Sequence, residues 1–293
     1  MKTVHKSISL RWFRYTGCYL ITLLSLTLTA CQSLPTEQAF AKAYGANLQY
    51  IQGAPYVHAV YVNPAAFRIQ TDQGTGNYLH VYIEGDANAF VNGKVSVNPT
   101  PDNPLMLALM QKDEQPAIYL GRPCYFNPED HQCSPDVWTR QRYSKAVVHS
   151  MAAALKTFSH AYEGVVLMGH SGGGALAVLL AEKEPKTRMV VTLAGNLDTF
   201  SWALEHNYQP LKQSLNPLEQ PPLPTRIIQI HYAGADDRVI DADWVQAYAE
   251  KQHRAEFQRL LAVSHTEGWQ EFWPQVLDKL QRYQQFAAPG PIP

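Results

Sequence analysis

The chain has 293 residues, 46% of them hydrophobic and 17% charged, with a formal net charge of −1. That length is long for one domain but ordinary for an α/β enzyme. No basic block or basic-aromatic stripe runs through it, which argues against nucleic acid as a partner.

The first elements in chain order read as a leader rather than as part of the fold. Lys2, Lys6, Arg11 and Arg14 precede any acidic residue, the first being Glu37. The apolar run "CYLITLLSLTLTA" (18–30) is too short to favour a spanning helix and fits a signal-peptide core. It ends in Leu28-Thr29-Ala30-Cys31, which resembles the bacterial lipobox, where cleavage leaves the cysteine as a lipid-bearing N-terminus. The alternative is an ordinary secretory signal cut at the same small residues. We therefore expect a signal peptide at 1–30, lipidation at Cys31 and a single domain over 31–293. Gln32 is not the aspartate that would favour inner-membrane retention, so the expected place is the outer membrane, facing the periplasm. No second long apolar run follows, so membrane attachment would be through lipid.

Past the leader, short apolar runs alternate with longer helical patterns. Strands are predicted over 57–62, 79–84, 117–120, 165–169, 189–194, 227–232 and 257–263. Helices are predicted over 104–112, 137–160, 173–183, 241–252 and 268–284. Proline-rich pieces at 98–104, 216–224 and 288–293 read as loops. The alternation predicts an α/β fold, a mostly parallel sheet with helices on both faces. In such a sheet the loops at the carboxyl ends of the strands build the site.

One such loop is "VVLMGHSGGGAL" (165–176). Gly169-His170-Ser171-Gly172-Gly173 satisfies G-x-S-x-G between a predicted strand and a predicted helix, the setting of a nucleophile elbow. A bare serine is a weak nucleophile and needs a base and an orienting acid. "HYAGADDRVID" (231–241) offers Asp237, with Asp236 as its neighbour and Asp198 as a further candidate. Helix capping or a calcium site are other readings of these acids, although the spacing and glycine of an EF-hand are missing. "LLAVSHTEGWQEFW" (260–273) offers His265, after a strand and before a helix. We expect Ser171 as nucleophile, His265 as base and Asp237 as its orienter. His170 would point away from such an elbow, and His231 lies within a strand. The oxyanion hole would use the main-chain N–H of Gly172 and of Asp86, in "LHVYIEGDANAF" (79–90).

Cys124 and Cys133 are the cysteines left after the leader, and in an oxidising compartment they are expected to pair. A zinc site is the rival reading, without a suitable set of Cys and His partners. The stretch 196–217 is either a small cap, with Trp202 and Tyr208 as walls, or a surface excursion. Arg122 and Arg142 are read as structural ion pairs ahead of a site for a substrate carboxylate.

By its elbow, acid loop and terminal histidine the chain resembles the α/β-hydrolase superfamily over about 79–284. A narrower likeness is to a poorly characterised branch of bacterial lipoprotein hydrolases. It is carried by Tyr82–Ala87, Arg122-Pro123-Cys124, Trp138–Tyr143 and Leu197–Pro217, with Ala87 standing where that branch has a glycine. Alanine disfavours positive φ, so this departure bears on the oxyanion loop. The resemblance implies a lipid-anchored serine hydrolase acting on a small-molecule or lipid acyl ester, with no metal or organic cofactor. An acyltransferase with the same three residues, or a non-catalytic binding lipoprotein, are the alternatives.

Overall fold

The computed structural model describes residues 36–287 except 73, 75 and 127–129. The expected leader, Cys31 and the proline-rich tail lie outside the described residues.

The strands are β1 (Asn47–Gln52), β2 (Val57–Val62), β3 (Gly76–Ile83), β4 (Phe90–Val91), β5 (Lys94–Val95), β6 (Ala117–Leu120), β7 (Tyr162–His170), β8 (Thr187–Leu193), β9 (Ile228–Gly234) and β10 (Ala255–Leu260). Between them run α1 (Thr36–Ala43), α2 (Pro64–Thr71), α3 (Leu105–Met110), α4 (Pro135–Trp138), α5 (Lys145–Ser159), α6 (Gly172–Ala181), α7 (Thr199–Glu205), α8 (Ala242–Glu250) and α9 (Trp269–Ala287). Among the described residues the main sheet has the order β1-β2-β6-β3-β7-β8-β9-β10. Only β2 runs against the rest, pairing antiparallel with both β1 and β6. The remaining ladders, from β6 to β10, are parallel. This is the mostly parallel α/β sheet expected of the α/β-hydrolase fold.

The apolar centre of the chain explains this layering. Val165–Met168 and Met189–Val191 are buried, as in strands covered on both faces. All ten residues of α6 are buried. A helix that is apolar all round must lie inside; α6 packs on β7 and β8 with α5 beside it.

Two departures from the sequence reading matter for the site. The helix predicted over 137–160 is broken into α4 and α5. Ser144 caps α5, its Oγ accepting from the Val147 N–H at 3.3 Å, and residues 139–143 leave helical geometry to enter the site. The hairpin β4–β5 was not predicted, although Asn92 and Gly93 both take positive φ at its turn. Asn-Gly is the residue pair such a turn favours. Also unpredicted were β1, a polar edge strand, and the short α1, α2 and α7.

Candidate active site

Ser171 follows β7 directly, at the carboxyl edge of the sheet, with φ 52° and ψ −120°. A non-glycine residue there carries strain on the order of 1–3 kcal/mol, which the surroundings must hold. They do so through three main-chain bonds: Ser171 N to Leu193 O, Gly174 N to Ser171 O and Asn196 N to Ser171 O, each 2.9 Å. The flanking glycines are steric requirements. A Cβ on Gly169 would strike the Gly173 carbonyl, and one on Gly173 would strike the carbonyls of Ile83 and Glu84.

The loop after β10 brings His265 to this serine. Ser171 Oγ lies 3.0 Å from His265 Nε2, and His265 Nδ1 lies 2.9 Å from Asp237 Oδ2. The carboxylate partner places the ring proton on Nδ1, so Nε2 is free to accept from the serine hydroxyl. Asp237 is fixed from its own loop, its Oδ1 accepting from Val239 N at 2.8 Å and Ile240 N at 3.0 Å. Its side chain has no solvent exposure. Burial alone would raise the Asp237 carboxyl; the hydrogen bond and charge of His265 and the two N–H donors instead hold it below the usual range.

The other acids lie elsewhere. Asp236 is exposed, and its side chain makes no hydrogen bond among the described residues. Asp198 caps α7, accepting from Phe200 N and Ser201 N at 3.2 Å. His170 turns under His265, its Nε2–H donating to the His265 carbonyl at 2.6 Å. Trp269 Nε1 donates to the same carbonyl at 3.0 Å. Burial, aided by nearby His265, pushes His170 down to about 3, so it is neutral.

A second serine–histidine pair lies inside the molecule. His58 Nε2 is 2.8 Å from Ser150 Oγ, but His58 Nδ1 faces the Gly121 carbonyl rather than a carboxylate. Both residues are wholly buried, so no substrate reaches them.

Gly172 opens α6, so its N–H has no acceptor within the helix. The Asp86 N–H makes no hydrogen bond among the described residues. Ala87 has φ 45°, the left-handed region that a glycine would enter more easily. The Asp86 carboxylate is clamped on one side by Arg122 Nη1 at 2.6 Å and on the other by Arg142 Nη1 at 2.7 Å. Tyr143 OH donates to it at 2.8 Å, while Tyr125 OH holds the Asp86 carbonyl at 3.0 Å. Burial would raise the Asp86 carboxyl, but the guanidinium groups of Arg142 and Arg122 hold it far below the usual range. Both arginines are thus ion-paired, as expected; Tyr125 and Tyr143 carry no sequence signal for this role. The neighbouring Glu84, buried and accepting from Gly85 N and Met106 N, is pushed up to about 7 by that burial.

These groups open on a cavity of about 770 Å³ with apolar walls that include Phe90, Leu105, Trp202, Tyr208, Leu211 and Val239. The 196–217 segment contributes Trp202, Tyr208 and Leu211 to it. Cys124 and Cys133 form a disulfide with Cα atoms 5.5 Å apart. Among the described residues, no group of three or more His, Cys, Asp or Glu side chains is placed to hold a metal ion. No helix there is long and apolar enough to cross a membrane.

No protein-family model and no curated protein matches the chain. Solved structures do. A putative lipase from Acinetobacter baumannii AYE aligns over 85% of this chain and 96% of its own, with TM-score 0.56 and 14% identity. A membrane phospholipase A described as a bacterial virulence factor aligns over 87% and 90%, with TM-score 0.54 and 14% identity. An alpha-beta serine hydrolase homologue from Coxiella burnetii aligns over 81% and 96%, with TM-score 0.51 and 13% identity. The chain has the α/β-hydrolase fold. On that hydrolase fold, Ser171 occupies the turn between a central strand and a buried helix.

Proposed function

We propose that this protein is a serine hydrolase that cleaves an ester or related acyl bond through a covalent acyl-enzyme. The observation that carries the reading is the unbroken hydrogen-bond series from Ser171 Oγ through His265 to the buried Asp237, beside an apolar cavity. Ser171 Oγ attacks the acyl carbonyl carbon while its proton passes to His265 Nε2. The carbonyl oxygen becomes an oxyanion facing the N–H groups of Gly172 and Asp86. The tetrahedral species collapses with loss of the alcohol or amine, which takes the proton from His265. Water then repeats the sequence on the acyl-enzyme, releasing the acid and restoring the serine. Asp237 holds His265 in the useful tautomer and offsets the charge that forms on it.

The solved neighbours described as a lipase and a phospholipase A fit this reading, at identities that carry the fold only. The leader adds a location: a lipid-anchored envelope protein with Cys31 modified.

Purified residues 32–293 should react with a fluorophosphonate at Ser171, and Ser171→Ala should abolish labelling. Labelling that persists in the alanine variant removes this serine from the mechanism. Cells should also incorporate labelled palmitate, and Cys31→Ser should end that incorporation.

A further inference from the structure

We infer that Arg142 forms an anion subsite in the cavity, so that the favoured substrate is an acyl ester bearing a carboxylate or phosphate group close to the scissile carbonyl. This rests on the serine-hydrolase reading above and names the substrate class for that site.

The two arginines of the clamp differ in what they leave open. Arg122 Nη1 donates to Gly85 O and Asp86 Oδ1, while its Nη2 is sealed inside the protein. Arg142 donates from Nε to Thr139 O at 2.6 Å and from Nη1 to Asp86 Oδ2 at 2.7 Å. Its Nη2 makes no hydrogen bond among the described residues, and Arg142 lines the cavity. With only 5% of its side chain exposed, that guanidinium is held in place and largely stripped of water. A charge-assisted hydrogen bond made there is stronger than one made at the surface.

Charge favours an anion at this point. Two guanidinium groups share one carboxylate, and the Tyr143 hydroxyl adds no charge. The other acid near this end of the cavity, Glu84, has both oxygens occupied by main-chain donors and is drawn toward neutrality by burial. Arg140 also lines the cavity, but its guanidinium is largely exposed to water and is held by both oxygens of Asp136.

Geometry limits where the anion sits. The Asp86 carboxylate lies against Gly172, close enough that a Cβ there would strike it. Arg142 therefore holds one oxygen of a carboxylate whose other oxygen lies against Gly172, the residue whose N–H is expected to face the oxyanion. Its guanidinium carbon stands 5.8 Å from the centre of the Trp202 ring and 6.0 Å from that of Phe90. The substrate would be amphiphilic: an acidic group on Arg142 and an apolar chain or ring along the aromatic walls.

The test compares matched substrates by kcat/KM. One pair is the 4-nitrophenyl monoester of glutaric acid against 4-nitrophenyl pentanoate. The other is an acylglycerol phosphate against the corresponding monoacylglycerol. The wild-type protein should prefer the anionic member of at least one pair by roughly tenfold or more, and the pair that shows it tells carboxylate from phosphate. Arg142→Gln should slow all substrates, because Asp86 loses a partner, and should also collapse the ratio toward one. Arg140→Gln should keep most of the ratio; a collapse there and not in Arg142→Gln would move the anion to Arg140 and overturn the proposal. A wild-type ratio of one or below in both pairs overturns the proposal, whether or not the variant folds. So does a preference that survives Arg142→Gln. Fluorophosphonate labelling of Ser171 in the same samples tests the hydrolase reading separately.

Discussion

Two serine–histidine pairs sit in one molecule with nearly the same contact, 3.0 Å for Ser171–His265 and 2.8 Å for Ser150–His58. What surrounds each pair separates them. His265 has a carboxylate behind it and a cavity in front; His58 has a main-chain carbonyl behind it and close packing all round. A carbonyl orients a ring but brings no negative charge to balance an imidazolium. A hydrogen-bonded serine is therefore poor evidence for a nucleophile until the third group and the access are known.

The largest expected effect converts the open pair into something like the closed one. Asp237→Asn keeps the shape but removes the charge and the tautomer preference, and should lower kcat on a simple aryl ester by roughly 10³–10⁴-fold. Asp236→Asn and Asp198→Asn should cost far less. A large loss at either of them, with Asp237→Asn harmless, would reassign the acid.

Next comes acid sensitivity of the interior to which the closed pair belongs. Burial pushes His58 down to about 4 and His231 to about 3, and burial with nearby His265 takes His170 to about 3. In the unfolded chain these rings take up protons near pH 6.5; the folded chain excludes them. Each thus contributes stability on the order of a few kcal/mol that is complete above about pH 6.5 and lost as pH falls toward 3–4. Glu84 acts in the opposite sense between about 4.5 and 7, but it is one group against three. Calorimetry should show Tm falling steadily from pH 7 to pH 4; a flat profile would contradict the buried neutral histidines.

A smaller effect belongs to the closed pair itself. Ser150→Ala leaves His58 Nε2 and the Tyr56 N–H without their shared partner. It should cost about 1–3 kcal/mol of stability, read by denaturant unfolding, with fluorophosphonate labelling of Ser171 unchanged. The smallest effect lies in the loop of Asp86 and Ala87, proposed to face the oxyanion, which the closed pair lacks. Ala87→Gly should relieve the left-handed backbone and raise Tm by no more than about 3 °C. A fall in Tm would mean the methyl group contributes more packing than strain.

Ser171, Asp237 and His265 were legible because each lies in a local strand–loop–helix pattern that the chain repeats. The clamp on Asp86 was legible only in part: ion pairs at Arg122 and Arg142 were expected, but not their shared partner or the two tyrosines, since Arg122, Tyr125, Arg142 and Tyr143 reach Asp86 from segments 36 to 57 residues away. The apolar periodicity of 137–160 concealed the break at Thr139 that frees Arg142 and Tyr143. Asn92-Gly93 is by contrast a local turn signal, and the hairpin it forms puts Phe90 on the cavity wall.

Cys124 lies between Arg122 and Tyr125, the two residues that grip the loop bearing Asp86 on this side. The sulfur bridge to Cys133 is therefore a tether on that loop as well as a brace for the fold. Cutting it should release roughly 3 kcal/mol of constraint from the unfolded chain and also slacken the grip beside Ser171. Cys124 is enclosed while Cys133 is partly accessible, so a small thiol would attack from the Cys133 side. Turnover should then drop under reductant before the chain unfolds, making catalytic competence a record of the redox surroundings in which the protein matured.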